Sequence, residues 1–221
     1  MVWLAWRGPS AVYQLYDISA LMILMEYLTD TAASPLQKAF VEIAEAYASK
    51  VDYSFIENAE SIVYLKFDNV PVGKLDEIRQ RLFDFIGALG SDACPFDMER
   101  VQLVIQRRIL EQLSHLENNP HDSIAYMVIA DALYGRSHED LRRRLNQIQD
   151  LEAIAKESPS FWSNIMRQYL LNRPCVTTKG RPSRAIMEAM ATSEEQRLEE
   201  QHESLGQEGV ESAARALLQV S

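Results

Sequence analysis

Four histidines, His115, His121, His138 and His202, carry the side chains best suited to acid–base or metal chemistry, and their spacing limits what they can do. His121 and Asp122 follow Asn119-Pro120 at a helix start, where an imidazole and a carboxylate could share a proton. The same Asp122 is what a helix N-terminus favours electrostatically, and that structural reading is preferred. His138-Glu139-Asp140 has the composition of a metal cluster. Successive helical residues point roughly 100° apart, however, so the three cannot converge on one ion. His115 and Glu117, two positions apart, also fall on different helix faces. Arg107 and Arg108 beside Glu111 read as surface ion pairs, which are energetically minor. Cys94 and Cys175 are too few and too distant for a disulfide framework or a zinc site, and neither has a cationic neighbourhood that would activate a thiolate. Cys175 reads as a small buried hydrophobe and suits a reducing compartment. There is no Gly-x-Ser-x-Gly elbow, and Gly87 to Gly90 is a helix end rather than a phosphate loop. No residue is assigned a catalytic or metal-binding role. Arg7, closing an apolar strand, is the one candidate binding residue: at a sheet end its guanidinium could take a peptide carboxylate or carbonyl.

Composition narrows the classes further. The 221 residues allow one or two domains with a real core, and 47% apolar with 24% charged content is ordinary for a globular protein. A net charge of −10 argues against nucleic acid, which needs a basic face. Arg142-Arg143-Arg144 is the only basic cluster and reads as a solvated helix face beside Glu139 and Asp140. No eighteen-residue apolar stretch is present, so no membrane span is expected. The opening MVWLAW is too short for a signal peptide and reads as a core strand. A start on a strand leads to the expectation that the domain begins upstream or that the chain is a cut piece.

The elements that must position these residues follow from periodicity. Val2–Trp6 is a strand closed by Gly8-Pro9, and a helix runs over Asp17–Thr29 with Ile18, Leu21, Met22, Met25 and Leu28 at helical spacing. Ser34 at an N-cap position and Pro35 at N1 open a short helix carrying Leu36, Phe40 and Val41. Tyr47–Phe55 and Ser61–Asp68 alternate, and the short linker Ile56–Glu60 lets them pair antiparallel. Helical stripes follow at Leu75–Leu89, closed by Gly90, at Met98–Leu116, and at Ile124–Leu133, closed by Gly135. Ser137 and Asp140 form a capping-box pattern for one helix bearing Leu141, Leu145 and Ile148. Ser158-Pro159 caps a helix with Phe161, Trp162, Ile165, Met166, Tyr169 and Leu170 inward, and Cys175–Lys179 returns as a strand. From Ser183 onward the chain is polar and Glu-rich, with a break at Gly206 and Gly209, and needs a neighbour to cover Ala213, Ala214, Leu217 and Leu218. The expected organisation is an α+β domain over 1–182, truncated at its N-terminus, and a helical linker or hairpin over 183–221.

One string is more specific than its mechanics. Tyr27–Glu42, YLTDTAASPLQKAFVE, with Leu24 ahead of it, resembles a segment of the insulinase-like (pitrilysin-type, inverzincin) zinc metallopeptidases. The similarity is greatest to a cytosolic branch related to presequence protease. Trp6-Arg7-Gly8-Pro9, Asn119-Pro120-His121, Leu133-Tyr134-Gly135, Phe161-Trp162, Lys179-Gly180-Arg181-Pro182-Ser183, Glu195-Gln196-Arg197 and Leu205-Gly206 lie in the same order, so the resemblance spans nearly the whole chain.

The resemblance implies a largely antiparallel sheet covered by helices and followed by a helical hairpin that joins two halves of a clamshell. It also implies where the chemistry is. The family's zinc motif, His-x-x-Glu-His, is missing from this chain, and the matching region is the one that follows the zinc domain. The implied role is a non-catalytic, chamber-forming domain, inactive alone, of an enzyme that hydrolyses peptides with zinc held elsewhere. Its partners would be the upstream zinc-bearing domain, the other half of the enzyme and the peptide substrate. Arg7 would face the chamber. The alternative is a catalytically silent scaffold or interaction subunit of the same fold, and a third is an enzyme assembled from two chains. A cytoplasmic location is expected, with mitochondria the alternative for the full-length protein.

Overall fold

Strict alternation along β1 (Val2–Arg7) sends Val2, Leu4 and Trp6 into the core and Trp3, Ala5 and Arg7 to the opposite face. In the computed structural model, which describes residues 1–91 and 93–220, this strand is central. It pairs antiparallel with β3 (Ile62–Asp68) on one side and β4 (Cys175–Lys179) on the other, and β2 (Lys50–Ile56) pairs outside β3, giving the order β2-β3-β1-β4. The inward residues of β2 and β3, Val51, Val63, Leu65 and Phe67, complete an apolar sheet face with those of β1.

Helices cover that face alone. The helix α1 (Leu15–Thr29) is buried nearly all round through Ala20, Leu21, Ile23, Leu24, Met25, Tyr27 and Leu28, because it lies between the sheet and further helices. Around it pack α2 (Pro35–Phe40), α4 (Met98–Asn118), α7 (Gln147–Ile154) and α8 (Pro159–Met166), the last continuing as a π-helical turn over Arg167–Leu171 that meets α3 (Ile78–Ala88). The expected α+β architecture, an antiparallel sheet covered by helices and followed by helical structure, is therefore observed.

Three local expectations are corrected. Tyr47–Ser49 precede β2 rather than belonging to it, since Tyr47 packs its ring on Phe40 and bonds Glu77 instead of joining the ladder. The single helix after Ser137 is two, α6 (His138–Leu145) and α7, because Asn146 leaves the helical region at φ −125°, ψ 51°. The capping box of α6 is present as expected. Ser34 occupies the N-cap of α2 without capping it: its hydroxyl instead accepts from Thr31 N–H at 2.9 Å and from Arg100 at 2.7 Å.

The helix α5 (Pro120–Tyr134) has the apolar residues that the sequence places in a stripe, yet none is buried, and Ile124, Val128, Ile129 and Leu133 face solvent. The chain divides into two units, Met1–Gly180 and Arg181–Ser221. The second holds α9 (Arg184–Val220), which is interrupted at Gly206, where φ of 59° and ψ of −178° suit glycine alone; Gly209 stays helical.

Candidate functional site

The four histidines do not meet. His115 lies on α4, His121 and His138 open α5 and α6, and His202 lies on α9, each exposed. Among the described residues no group of three or more His, Cys, Asp or Glu side chains could hold a metal ion. The described residues thus gather no donor set for a zinc site.

The His138-Glu139-Asp140 triplet serves the helix end. Asp140 accepts from the N–H groups of Arg136 and Ser137, each at 2.9 Å, and these bonds hold its carboxyl below the usual range. Cys175 is half-buried, and burial pushes its thiol up, away from nucleophilic chemistry.

Two readings of arginine are overturned. Arg142 and Arg143 are at least partly exposed, but Arg144 is buried, pairs with Glu57 at 2.7 Å and donates to the Ala11 carbonyl. The helical turn carries consecutive residues to different faces, and α6 presents the third arginine inward. Arg108 also does more than decorate a surface: it pairs at 3.1 Å with Glu26, whose side chain is only 10% exposed. A cavity between α1, α4, α6 and α7 collects Arg108, Arg143 and Arg144. Each is already paired, with Glu26, Asp150 and Glu57 respectively, so the cavity is a balanced ion-pair network.

Arg7 closes β1 on the outward face of the sheet. Its guanidinium meets Glu60 at 3.1 Å in the open, with 78% of the side chain exposed. Beside it stands Arg173, which no periodic signal marks because it falls in the short loop before β4. Arg173 donates through Nη1 to the carbonyls of Arg7 and Gly8, both at 3.2 Å, and lies 4.8 Å over the Tyr169 ring. Both arginines line a cleft with Ala5, Trp6, Ile62, Pro174 and Val176. The register explains it. Ala5 sits opposite Tyr64 on β3 and Val176 on β4, while Arg7 sits opposite Ile62. Trp3, the next outward residue of β1, stacks on Tyr64 with centroids 5.4 Å apart and planes at 10°.

The fold is a four-stranded antiparallel sheet covered by helices, and its described residues gather no metal-ligand cluster. Residues 1–107 match the family model of the peptidase M16 inactive domain. An uncharacterized protein of Caenorhabditis elegans is 34% identical over 98% of this chain, and one of Schizosaccharomyces pombe is 27% identical over 97%. The chain spans about a fifth of their length, 21% and 20%. Among solved structures, the inactive peptidase domain of a Bordetella parapertussis protein described as a zinc protease superposes with a TM-score of 0.65 at 18% identity, covering 83% of this chain and 93% of that one. A protease from Helicobacter pylori superposes at 0.56 and 18% identity, over 81% of this chain and 41% of the other. Through residues 1–107 the chain is thus similar to the inactive domain of the insulinase-like (M16) zinc metallopeptidases.

Proposed function

We propose that the chain forms part of the wall of a closed peptide chamber in a longer insulinase-like zinc endopeptidase of the presequence-protease-related branch. An upstream domain would carry His-x-x-Glu-His and the other half of the protein would close the chamber. The observation that carries this reading is the match to the inactive domain over residues whose donors gather into no metal site. The sheet supports it: one face is covered by helices, and the other presents Trp3, Arg7, Ile62 and Val176 outward. The outward Leu103, Leu110 and Leu113 of α4, with Ile124 and Ile129 of α5, fit a face that meets another domain of the same protein. In the chamber Arg7 would engage peptide substrate. A cytoplasmic location, or mitochondria as the alternative, accords with the two free thiols Cys94 and Cys175.

The purified chain is expected to retain no stoichiometric zinc and to leave peptides uncut, whereas the full-length protein is expected to bind zinc and to cleave peptides. One zinc per chain on His or carboxylate ligands would overturn the assignment, and so would full-length protein without zinc or peptidase activity. Arg7→Ala in the full-length protein is expected to weaken peptide binding, and unchanged affinity removes Arg7 from the site.

A further inference from the structure

A small residue among large ones leaves a hollow. On the outward sheet face Ala5 is flanked along its strand by Trp3 and Arg7 and across the sheet by Tyr64 and Val176. The methyl group of Ala5 is thus the floor of a depression whose apolar walls include Ile62, Pro174 and Val176. Those walls are exposed, Val176 by 68% and Ile62 by 39%.

Charge marks one end of this hollow. Two guanidiniums, Arg7 and Arg173, line it, against one carboxylate, Glu60, paired with either of them among the described residues. This local excess of positive charge sits on a chain of net charge −10, so it is no consequence of a generally basic surface. Arg173 is also preset: two backbone carbonyls hold Nη1 and the Tyr169 ring lies beneath its plane, so little side-chain entropy is left to lose when an anion arrives.

We propose that this hollow is a subsite for the C-terminal residue of a peptide: its apolar side chain enters over Ala5 and its α-carboxylate lies between the guanidiniums of Arg7 and Arg173. The chemistry requires an apolar group and a carboxylate on neighbouring atoms. An internal apolar residue offers no anion there, and an aspartate or glutamate side chain would carry its charge onto the apolar floor. The subsite rests on the reading of this face as a chamber wall and gives that wall a preference for the free ends of peptides.

Two N-acetylated pentapeptides test it, four alanines followed by phenylalanine, one as the free acid and one as the amide. Each is titrated into the 221-residue chain with tryptophan fluorescence as the signal, since Trp6 lines the hollow and Trp3 precedes Ala5 on the same strand face. The acid is expected to bind roughly tenfold more tightly than the amide, as suits loss of a charge-assisted hydrogen bond. Ala5→Trp fills the hollow from the solvent side and is expected to abolish binding while leaving thermal unfolding unchanged. Arg7→Met and Arg173→Lys are expected to erase or shrink the difference between acid and amide. Equal affinities, no binding of either peptide, or binding that survives Ala5→Trp each overturn the proposal. So does self-association of the chain that Ala5→Trp disrupts, which would make a second copy the occupant. These outcomes are separable from the chamber assignment, which stands or falls on zinc and cleavage in the full-length protein.

Discussion

The Gln37 carboxamide and the Val51 peptide group form a two-way hydrogen-bond pair. Nε2 donates to the Val51 carbonyl at 2.7 Å, and the Val51 N–H donates to Oε1 at 3.3 Å. The side chain thus stands where the peptide group of a neighbouring strand would be, and closes the outer edge of β2 at that point. The same Nε2 donates to the carbonyl of Thr29 at 2.8 Å, satisfying the last turn of α1. One buried amide therefore ties the end of α1, the middle of α2 and the edge of the sheet. Arg100 reaches Thr31 and Ser34 in the intervening loop, and Arg107 meets Asp30 at 2.6 Å. The Tyr27–Glu42 string is specific because its polar residues meet fixed partners.

Replacing this amide should be costly. Gln37→Leu keeps the volume but leaves the Val51 N–H and the carbonyls of Val51 and Thr29 without these partners in a buried setting. A loss of about 3 kcal/mol is expected from groups each worth roughly 1–3 kcal/mol when unsatisfied. Urea unfolding of the chain measures it, and a loss below about 1 kcal/mol would show that water replaces the amide.

That lock marks the limit of what the sequence discloses. Period-two alternation reveals β1 and its pairing strands, and helical spacing reveals α1, because burial of one face leaves a repeated apolar mark. Gln37 leaves none: a glutamine within a helix reads as a solvent residue. Arg144 is hidden within a run of three arginines for the same reason. Arg173 precedes a strand in a loop, where no period exists. The break at Asn146 follows from one residue's dihedrals, which no apolar pattern records. Motif resemblance pointed to the family whose inactive domain residues 1–107 match, and residue spacing argued against the histidine clusters, but neither could show that Arg7 has a second guanidinium beside it.

Arg144 gives a measurable correction to the solvated-face reading. Arg144→Met strands Glu57 and an Ala11 carbonyl and is expected to cost about 2–3 kcal/mol, toward the low side for a broken buried pair because Glu57 is 37% exposed. Arg142→Met, whose ion pair is open to solvent at 3.8 Å, should change stability by no more than about 0.5 kcal/mol. Adding Glu57→Gln to Arg144→Met should recover part of the loss, which a double-mutant cycle in urea resolves.

The pH dependence of stability should carry the signature of Glu26. Its Oε1 accepts from Tyr53 and Arg108, both at 3.1 Å, while Oε2 has no protein partner, and burial outweighs these contacts and raises the carboxyl above its ordinary value of 4.5. The folded state therefore keeps this proton to higher pH than the unfolded chain does. The resulting stability is fully present below the unfolded value and is lost as pH rises through the folded one. Glu26→Gln should flatten that fall, read as the slope of the urea midpoint against pH above about 4.5. An unchanged slope would mean that Arg108 compensates the burial.

Gly90 offers the sharpest backbone test. It ends α3 with φ of 84°, donates its N–H to the Cys94 carbonyl at 2.7 Å, and a Cβ built there would lie 2.6 Å from Ser163 Oγ and 2.8 Å from Phe96 Cε2. Two separate penalties follow for Gly90→Ala, the left-handed backbone and the clash, and a combined loss of about 2–4 kcal/mol is expected. Ser163→Ala in the same chain removes the nearer oxygen and should restore only the part due to that contact, leaving the Phe96 contact and the backbone term of roughly 1–2 kcal/mol. Gly73 is the control, since a Cβ there meets nothing within 4 Å and its backbone is not left-handed. Gly73→Ala should be neutral or stabilise by up to about 1 kcal/mol through the unfolded chain. Thermal melts of the three variants measure these losses, and equal effects at both glycines would place the end of α3 in a different backbone conformation.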